Sequence, residues 1–157
     1  MGPRHIALYC LGSPHDEELL RQAAELCKNC RADLSLVVPI VDGAVPDGCC
    51  GIRGEHWRRL IDEDTRDAAR SAARALEGLG CAPVNIAVEI GPSLADIAAR
   101  TAARYGCDAI AVGRKRRPWS SAGASRRQLN ELRAACTQDV VELPRQSVWP
   151  GVMSPVS

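Results

Sequence analysis

Apolar positions along the chain fall into two kinds of block that take turns: short continuous runs, and longer stretches with helical spacing. The runs His5–Cys10, Asp33–Val41, Val84–Ile90, Asp108–Gly113 and Asp139–Leu143 suit buried strands, which read as unbroken apolar segments when both sheet faces are covered. Between them the spacing predicts four helices. The first, over about 14–29, gathers Leu19, Leu20, Ala23, Ala24, Leu26 and Cys27 on one face. The second, over about 55–79, carries Trp57, Ile61, Thr65, Ala68, Ala72, Leu76 and Leu79 at steps of three and four. The third runs from Pro92-Ser93 to about Tyr105-Gly106, and the fourth covers about 124–135.

Start signals sharpen two of these boundaries. Ser13 suits the N-cap of the first helix, with Pro14 at the first helical position and Asp16 three residues after the cap. Ser93 and Asp96 repeat that spacing in the third helix. The segment Asp42–Gly54 holds four Gly, one Pro and the pair Cys49-Cys50, and reads as a loop.

Regular alternation of strand and helix implies right-handed crossovers and a mostly parallel sheet with helices on both faces. The expected fold is a three-layer α/β/α doubly wound domain over residues 4–143, with five strands and four main helices. Residues 144–157 hold three Pro and little pattern, and are expected to fray. Ligands of such sheets bind beyond the carboxyl ends of the strands, where strand order reverses. That places the candidate site among Leu11–Ser13, Val41–Gly54 and Gly113–Ser125.

Composition changes this picture in three ways. The chain of 157 residues fits one domain, and with no Phe, three Trp and two Tyr its core must be aliphatic. At that size roughly two-thirds of the unfolded surface can be buried, so neither metal nor disulfide is needed to hold a core. Net charge is +1, which gives no global argument for nucleic acid or an anionic membrane, yet Gly113–Arg145 holds eight Arg/Lys against three acids. No apolar run approaches the roughly 20 residues of a membrane span. The stretch Ile6–Leu11 is short for a secretory leader and is followed by Pro14, His15 and Asp16, so the expected location is the cytoplasm.

Candidate chemistry is sparse. Arg114, Lys115, Arg116 and Arg117 form either a solvated charged loop, an anion or nucleotide-phosphate site, or a nucleic-acid patch in which Trp119 would stack. The nucleic-acid reading lacks a groove and further aromatics. Cys27-Lys-Asn-Cys30 is a C-x-x-C at the C-terminal end of a helix, where the dipole opposes thiolate. A zinc site would need Cys49, Cys50 or His56 in addition, and there is no second C-x-x-C, so no metal is expected. The eight cysteines are expected to be reduced. His15 and Asp16 suit helix capping, and Trp57 suits the core. There is no G-x-S-x-G elbow and no H-E-x-x-H, so no catalytic residue is assigned.

These segments resemble the universal stress protein family. His5-Ile-Ala-Leu-Tyr-Cys-Leu-Gly-Ser-Pro14 is similar to the family's opening strand followed by Asp-Gly-Ser. Gly91-Pro-Ser-Leu-Ala-Asp-Ile-Ala-Ala and Cys107-Asp-Ala-Ile-Ala-Val-Gly113 are similar to its third helix and fourth strand. The resemblance implies strand order 3-2-1-4-5, a crevice between strands one and four, and a homodimer through strand 139–143. It also implies an ATP site built on an Asp after strand one and on Gly-x-x-Gly, nine residues and Gly-Ser/Thr.

This chain departs from that site at each point. Leu11 stands at the Asp position, Arg116 at the second Gly, and Gly123-Ala124-Ser125 comes about three residues early. Leu cannot accept the hydrogen bonds an Asp would, and Arg adds bulk where bare backbone should approach phosphate. The residues implied to line the crevice are Leu11, Gly12, Ser13, Val41, Gly113, Arg114, Arg116, Gly123 and Ser125. The expected function is a non-catalytic regulatory domain of the stress response with a degenerate or lost ATP site and no tightly held cofactor. The alternative is a nucleotide-binding member that holds ATP or AMP through Arg-based phosphate contacts, with slow hydrolysis at most. A small anionic or nucleotide ligand is the candidate partner in either case. A third reading, an adenine-nucleotide enzyme of the same broad fold group, rests on fold alone.

Overall fold

The computed structural model describes residues 2–11, 16–41, 51–115 and 123–143, with the stretch 51–62 described by its backbone alone. The elements are β1 (His5–Tyr9), α1 (Glu17–Cys30), β2 (Asp33–Val41), α2 (Gly51–Gly78), β3 (Asn85–Gly91), α3 (Leu94–Tyr105), β4 (Ala109–Gly113), α4 (Arg126–Ala135) and β5 (Asp139–Leu143). The strands form one parallel sheet in the order β3-β2-β1-β4-β5.

Strand alternation sorts the core onto the two faces. Ile6, Leu8 and Cys10 point to the side covered by α1 and α2, where they meet Leu20, Cys27, Ala72 and Leu76. Ala7, Tyr9 and Leu11 point to the other side and meet Leu94, Ile97, Leu129 and Leu132 of α3 and α4. The central strands β1 and β4 are buried along their whole apolar length apart from His5. That is why they read as continuous runs in the sequence.

Cap geometry corrects several expected boundaries. The N-cap of α1 is Asp16, whose carboxylate accepts from the Leu19 amide at 3.1 Å. The helix therefore begins at Glu17, not near 14. Ser13, Pro14 and His15, the expected capping residues, lie outside the described residues. Helix α2 starts at Gly51, inside the segment expected to be a loop. The fourth helix starts at Arg126, not 124, because Ala124 pairs with Arg114 in a parallel bridge and Ser125 keeps the extended backbone of an N-cap. Ser93 caps α3 as expected, accepting from the Asp96 amide at 3.1 Å. The helical stripe of α2 is confirmed by buried Ala72 and Leu76, while Trp57 and Ile61 fall where side chains are not described. Residues 144–157, expected to fray, and residues 42–50, expected to form a loop, also lie outside the described residues.

Candidate functional site

The connections out of β1 and β4 leave the sheet in opposite directions: β1 leads to β2 on one side, and β4 leads to β5 on the other. Such a reversal opens a crevice between the carboxyl ends of the two strands. Five of the predicted residues meet there. The amide of Gly123 donates to the Leu11 carbonyl at 3.1 Å. The Ala124 amide donates to the Gly113 carbonyl at 2.7 Å, and the Lys115 amide to the Ala124 carbonyl at 2.9 Å. Arg114 in turn donates its amide to the Leu143 carbonyl at 2.9 Å. Leu11, Gly113, Arg114 and Gly123 therefore sit on one hydrogen-bonded floor that ties the ends of β1, β4 and β5 together, and Ser125 follows Ala124 as the cap of α4.

Val41 does not join this group. It pairs with Gly91 at the end of β2 and shares no described hydrogen bond with the other five. Gly12, Ser13 and Arg116, together with Arg117 and Trp119, lie outside the described residues.

The two glycines of the floor have different reasons to be glycine. At Gly113 a Cβ would lie 3.1 Å from Leu19 Cδ1, so its hydrogen lets α1 pack closely over the end of β4. Gly123 has φ +87°, and a Cβ there would lie 2.8 Å from the Arg114 carbonyl carbon and the Lys115 nitrogen. This second glycine is required both by conformation and by the closeness of the opposing backbone.

Leu11 is 9 % exposed and packs with Tyr9 and Val37 in the apolar cluster under α3 and α4. It offers its crevice a methyl surface and no acceptor beyond a carbonyl already engaged by Gly123. Ser125 accepts from the Gln128 amide at 3.2 Å while the Gln128 side-chain oxygen accepts from the Ser125 amide at 2.9 Å. This capping box satisfies two of the helix's orphan donors.

Electrostatics distinguish the two helix starts near the crevice. Helix α1 opens with Asp16, Glu17 and Glu18, which offset its positive end. Helix α4 has no acid in its first turn and opens with Arg126 and Arg127, with exposed Arg114 across the bridge. The positive end of α4 is thus reinforced rather than offset, an arrangement that favours an anion.

The thiols divide by environment. Burial pushes Cys10 up to about 12 and Cys107 up to about 11, which makes both inert packing groups. Cys27 and Cys30 stand in the last turn of α1, and the half-buried Cys81 packs against the same core cluster. Among the described residues no group of three His, Cys, Asp or Glu side chains is arranged to hold a metal ion, and Cys49 and Cys50 lie outside them.

Two polar centres escaped sequence reasoning. Ser35, fully buried, meets His5 Nε2 at 2.6 Å and accepts from Asn85 Nδ2 at 2.9 Å, joining β1, β2 and β3 at the amino ends of the strands. Cys81 is the other. Nothing in the local sequence marks either residue, because the partners come from other elements.

Comparison with solved structures decides the fold family. A universal stress protein family member from Burkholderia pseudomallei superposes with TM-score 0.67 at 18% identity, over 90% of this chain and 96% of that one. The chain has the universal stress protein fold. A universal stress protein from Archaeoglobus fulgidus in complex with dAMP matches with TM-score 0.57 at 15% identity, over 88% and 96%. A universal stress protein in complex with cAMP matches with TM-score 0.59 at 12% identity, over 91% and 98%. No family model matches the sequence, and no curated protein does. The universal stress protein fold accounts for the strand order and the four helices. No helix among the described residues is long and apolar enough to cross a membrane.

Proposed function

We propose that this chain is a non-catalytic, universal-stress-protein-like regulatory domain of the cytoplasm whose ATP site is degenerate. The observation that carries the reading is Leu11. Its side chain is part of the apolar core, and its carbonyl is engaged by Gly123, so the end of β1 has no acid to receive a nucleotide's hydroxyl or amino groups. One lost hydrogen bond to a charged or buried partner costs about 1.5–3 kcal/mol, so the loss of the acid and of a phosphate-loop glycine together weakens ATP binding by about a hundredfold or more.

The arginines and the α4 start supply a different kind of recognition. Exposed Arg114 and the acid-free first turn of α4 favour a small anion, and solved relatives in fold occur in complexes with cAMP and dAMP. Exposed ion pairs contribute only about 0–1 kcal/mol and are screened by salt. Residual nucleotide binding is therefore expected to be weak, salt-sensitive and poorly selective for adenine. Leu11, Gly12, Ser13, Val41, Gly113, Arg114, Arg116, Gly123 and Ser125 are the proposed lining of that site.

Calorimetry with ATP and GTP at physiological salt tests this. Weak binding of both, abolished by Arg114→Ala with Arg116→Ala, is the expected result. Low-micromolar, adenine-selective ATP binding would show that the crevice rebuilds an ATP site without the acid. Weak binding unchanged by the arginine substitutions would return that cluster to a solvated loop.

A further inference from the structure

The C-terminal ends of α1 and α2 lie side by side, although Cys27 and Cys81 are far apart in the sequence. Cys27, in the last turn of α1, is 2 % exposed. Cys81 follows the last turn of α2 and is half-buried. Its backbone is pinned there, with its amide donating to the Leu76 carbonyl at 2.9 Å and the Gly80 amide to the Glu77 carbonyl at 2.9 Å. Cys27 belongs to the buried cluster under α1 and α2, and Cys81 and Cys30 both pack against that cluster. Lys28 lies over this turn: a Cβ built on Gly80 would sit 3.2 Å from both its Cε and its Nζ. A side chain at position 80 would push the ammonium away from the neighbouring thiol.

We propose that Cys81 and Cys27 form a hydroperoxide-sensitive dithiol, in which Cys81 is the attacking group and Cys27 closes a Cys27–Cys81 disulfide. The roles follow from exposure and charge. Cys81 has access to solvent and the Lys28 ammonium beside it, whereas Cys27 is shielded. A hydrogen bond with Cys27 lowers the Cys81 thiol below its ordinary value, and Lys28 acts in the same direction against burial and Asp33. That same hydrogen bond, with burial, raises Cys27, so Cys27 is the partner that keeps its proton. A partly exposed thiolate beside a cation is the arrangement in which cysteine reacts with oxidants.

The chemistry balances with a hydroperoxide as oxidant. The Cys81 thiolate attacks a peroxide oxygen, the O–O bond breaks, and the leaving oxygen takes a proton and departs as water or an alcohol. Cys81, oxidised by two electrons, becomes a sulfenic acid. Loss of the thiolate removes what had held the proton on Cys27. The Cys27 sulfur then gives up that proton and attacks Cys81 sulfur, the S–O bond breaks, and water leaves as the disulfide forms. A dithiol reductant reverses the modification, as expected of a transient bond in a reducing compartment.

The test uses the full chain, reduced, freed of reductant and treated with stoichiometric hydrogen peroxide. Non-reducing peptide mapping should find a Cys27–Cys81 linked peptide as the main product. In Cys27→Ser, which keeps a hydrogen-bond donor but no resolving thiol, Cys81 should persist as a sulfenic acid trapped by dimedone, and in Cys81→Ala neither product should form. Since Cys27 is buried and its replacement strains the core, the unsubstituted chain carries a second readout: iodoacetamide at neutral pH should alkylate Cys81 ahead of Cys10, Cys30, Cys107 and Cys136. A peroxide-treated chain in which Cys81 remains a free thiol overturns the proposal, as does alkylation of Cys81 no faster than of those other thiols. A Cys30–Cys81 link overturns the role given to Cys27.

Discussion

The Gly123 amide and the Leu11 carbonyl, 3.1 Å apart, join the segment before α4 to the end of β1 across the crevice. The contact has two consequences. It occupies the backbone acceptor at the end of the first strand, and it depends on a residue at position 123 that accepts φ +87° within 2.8 Å of the Arg114–Lys115 backbone. Position 123 is thus a glycine for a structural reason.

Gly123→Ala should therefore destabilise the chain by about 1–3 kcal/mol, through left-handed strain and a clash with backbone that cannot rotate away. Thermal unfolding should show a clear drop in Tm. Gly78, where an added Cβ meets nothing within 4 Å, serves as the control, and Gly78→Ala should leave Tm unchanged or raise it. Equal effects of the two substitutions would contradict the account of Gly123.

Much of the fold was legible because it is written in local pattern. Buried parallel strands need continuous apolar runs, and amphipathic helices need apolar residues at three and four, and both signals are strong here. The boundaries that moved did so for non-local or competing local reasons. Asp16 replaced Ser13 as the cap of α1, since a carboxylate there reaches the Leu19 amide. Ala124 was drawn out of α4 by its bridge to Arg114, a residue ten positions earlier.

The crevice was only half legible. Position on the fold brought Leu11, Gly113, Arg114, Gly123 and Ser125 together, and the order of motifs pointed to all of them. Val41 lies at the end of β2, where its strand partner is Gly91 of β3. The Cys27–Cys81 pair was invisible, because only the docking of α1 beside α2 creates it.

Ser125→Ala should cost about 1 kcal/mol, the usual worth of an N-cap side chain, as it removes the acceptor for the Gln128 amide. Chemical denaturation should show a lower midpoint with an unchanged slope. Ser125→Asn, which retains a capping oxygen, should recover most of the loss. Failure of that rescue would place the importance of Ser125 outside the cap.

Alkaline stability should report on Tyr9. Its hydroxyl, fully buried, meets Thr101 Oγ1 at 2.6 Å, while Thr101 donates to the Ile97 carbonyl at 2.8 Å. Burial raises the Tyr9 phenol well above its ordinary value, against the smaller opposing effect of Thr101. The folded state then holds the proton at a pH where the unfolded chain releases it. Stability is full below the ordinary value of 10.0 and falls as pH rises beyond it. Cys10 and Cys107, also raised by burial, add a similar decline starting near 9.0. Tyr9→Phe should lose about 1 kcal/mol at neutral pH and should decline less steeply than the parent chain above pH 10. Parallel curves for the two proteins would refute this.

The free edge of β5 carries the last prediction. On one side β5 pairs with β4 from Asp139 to Leu143. Among the described residues no strand pairs with its other side. Its apolar side chains are not what makes this edge adhesive, since Val141 and Leu143 are buried in the core and Val140 packs under α4. Among the described residues, what remains open is a row of backbone donors and acceptors, the usual template for strand addition. A second copy related by a two-fold axis would pair antiparallel along the same edge, and the contact would close on itself without forming a fibre. The expected species is therefore a homodimer. Light scattering should give a mass of two chains at high concentration, falling toward one on dilution. Glu142 lies on this strand, 3.1 Å from Arg133 of α4, so the charge is already engaged within the chain and does not bar approach of the partner. A mass of one chain throughout the concentration range would leave the edge unpaired and the dimer refused.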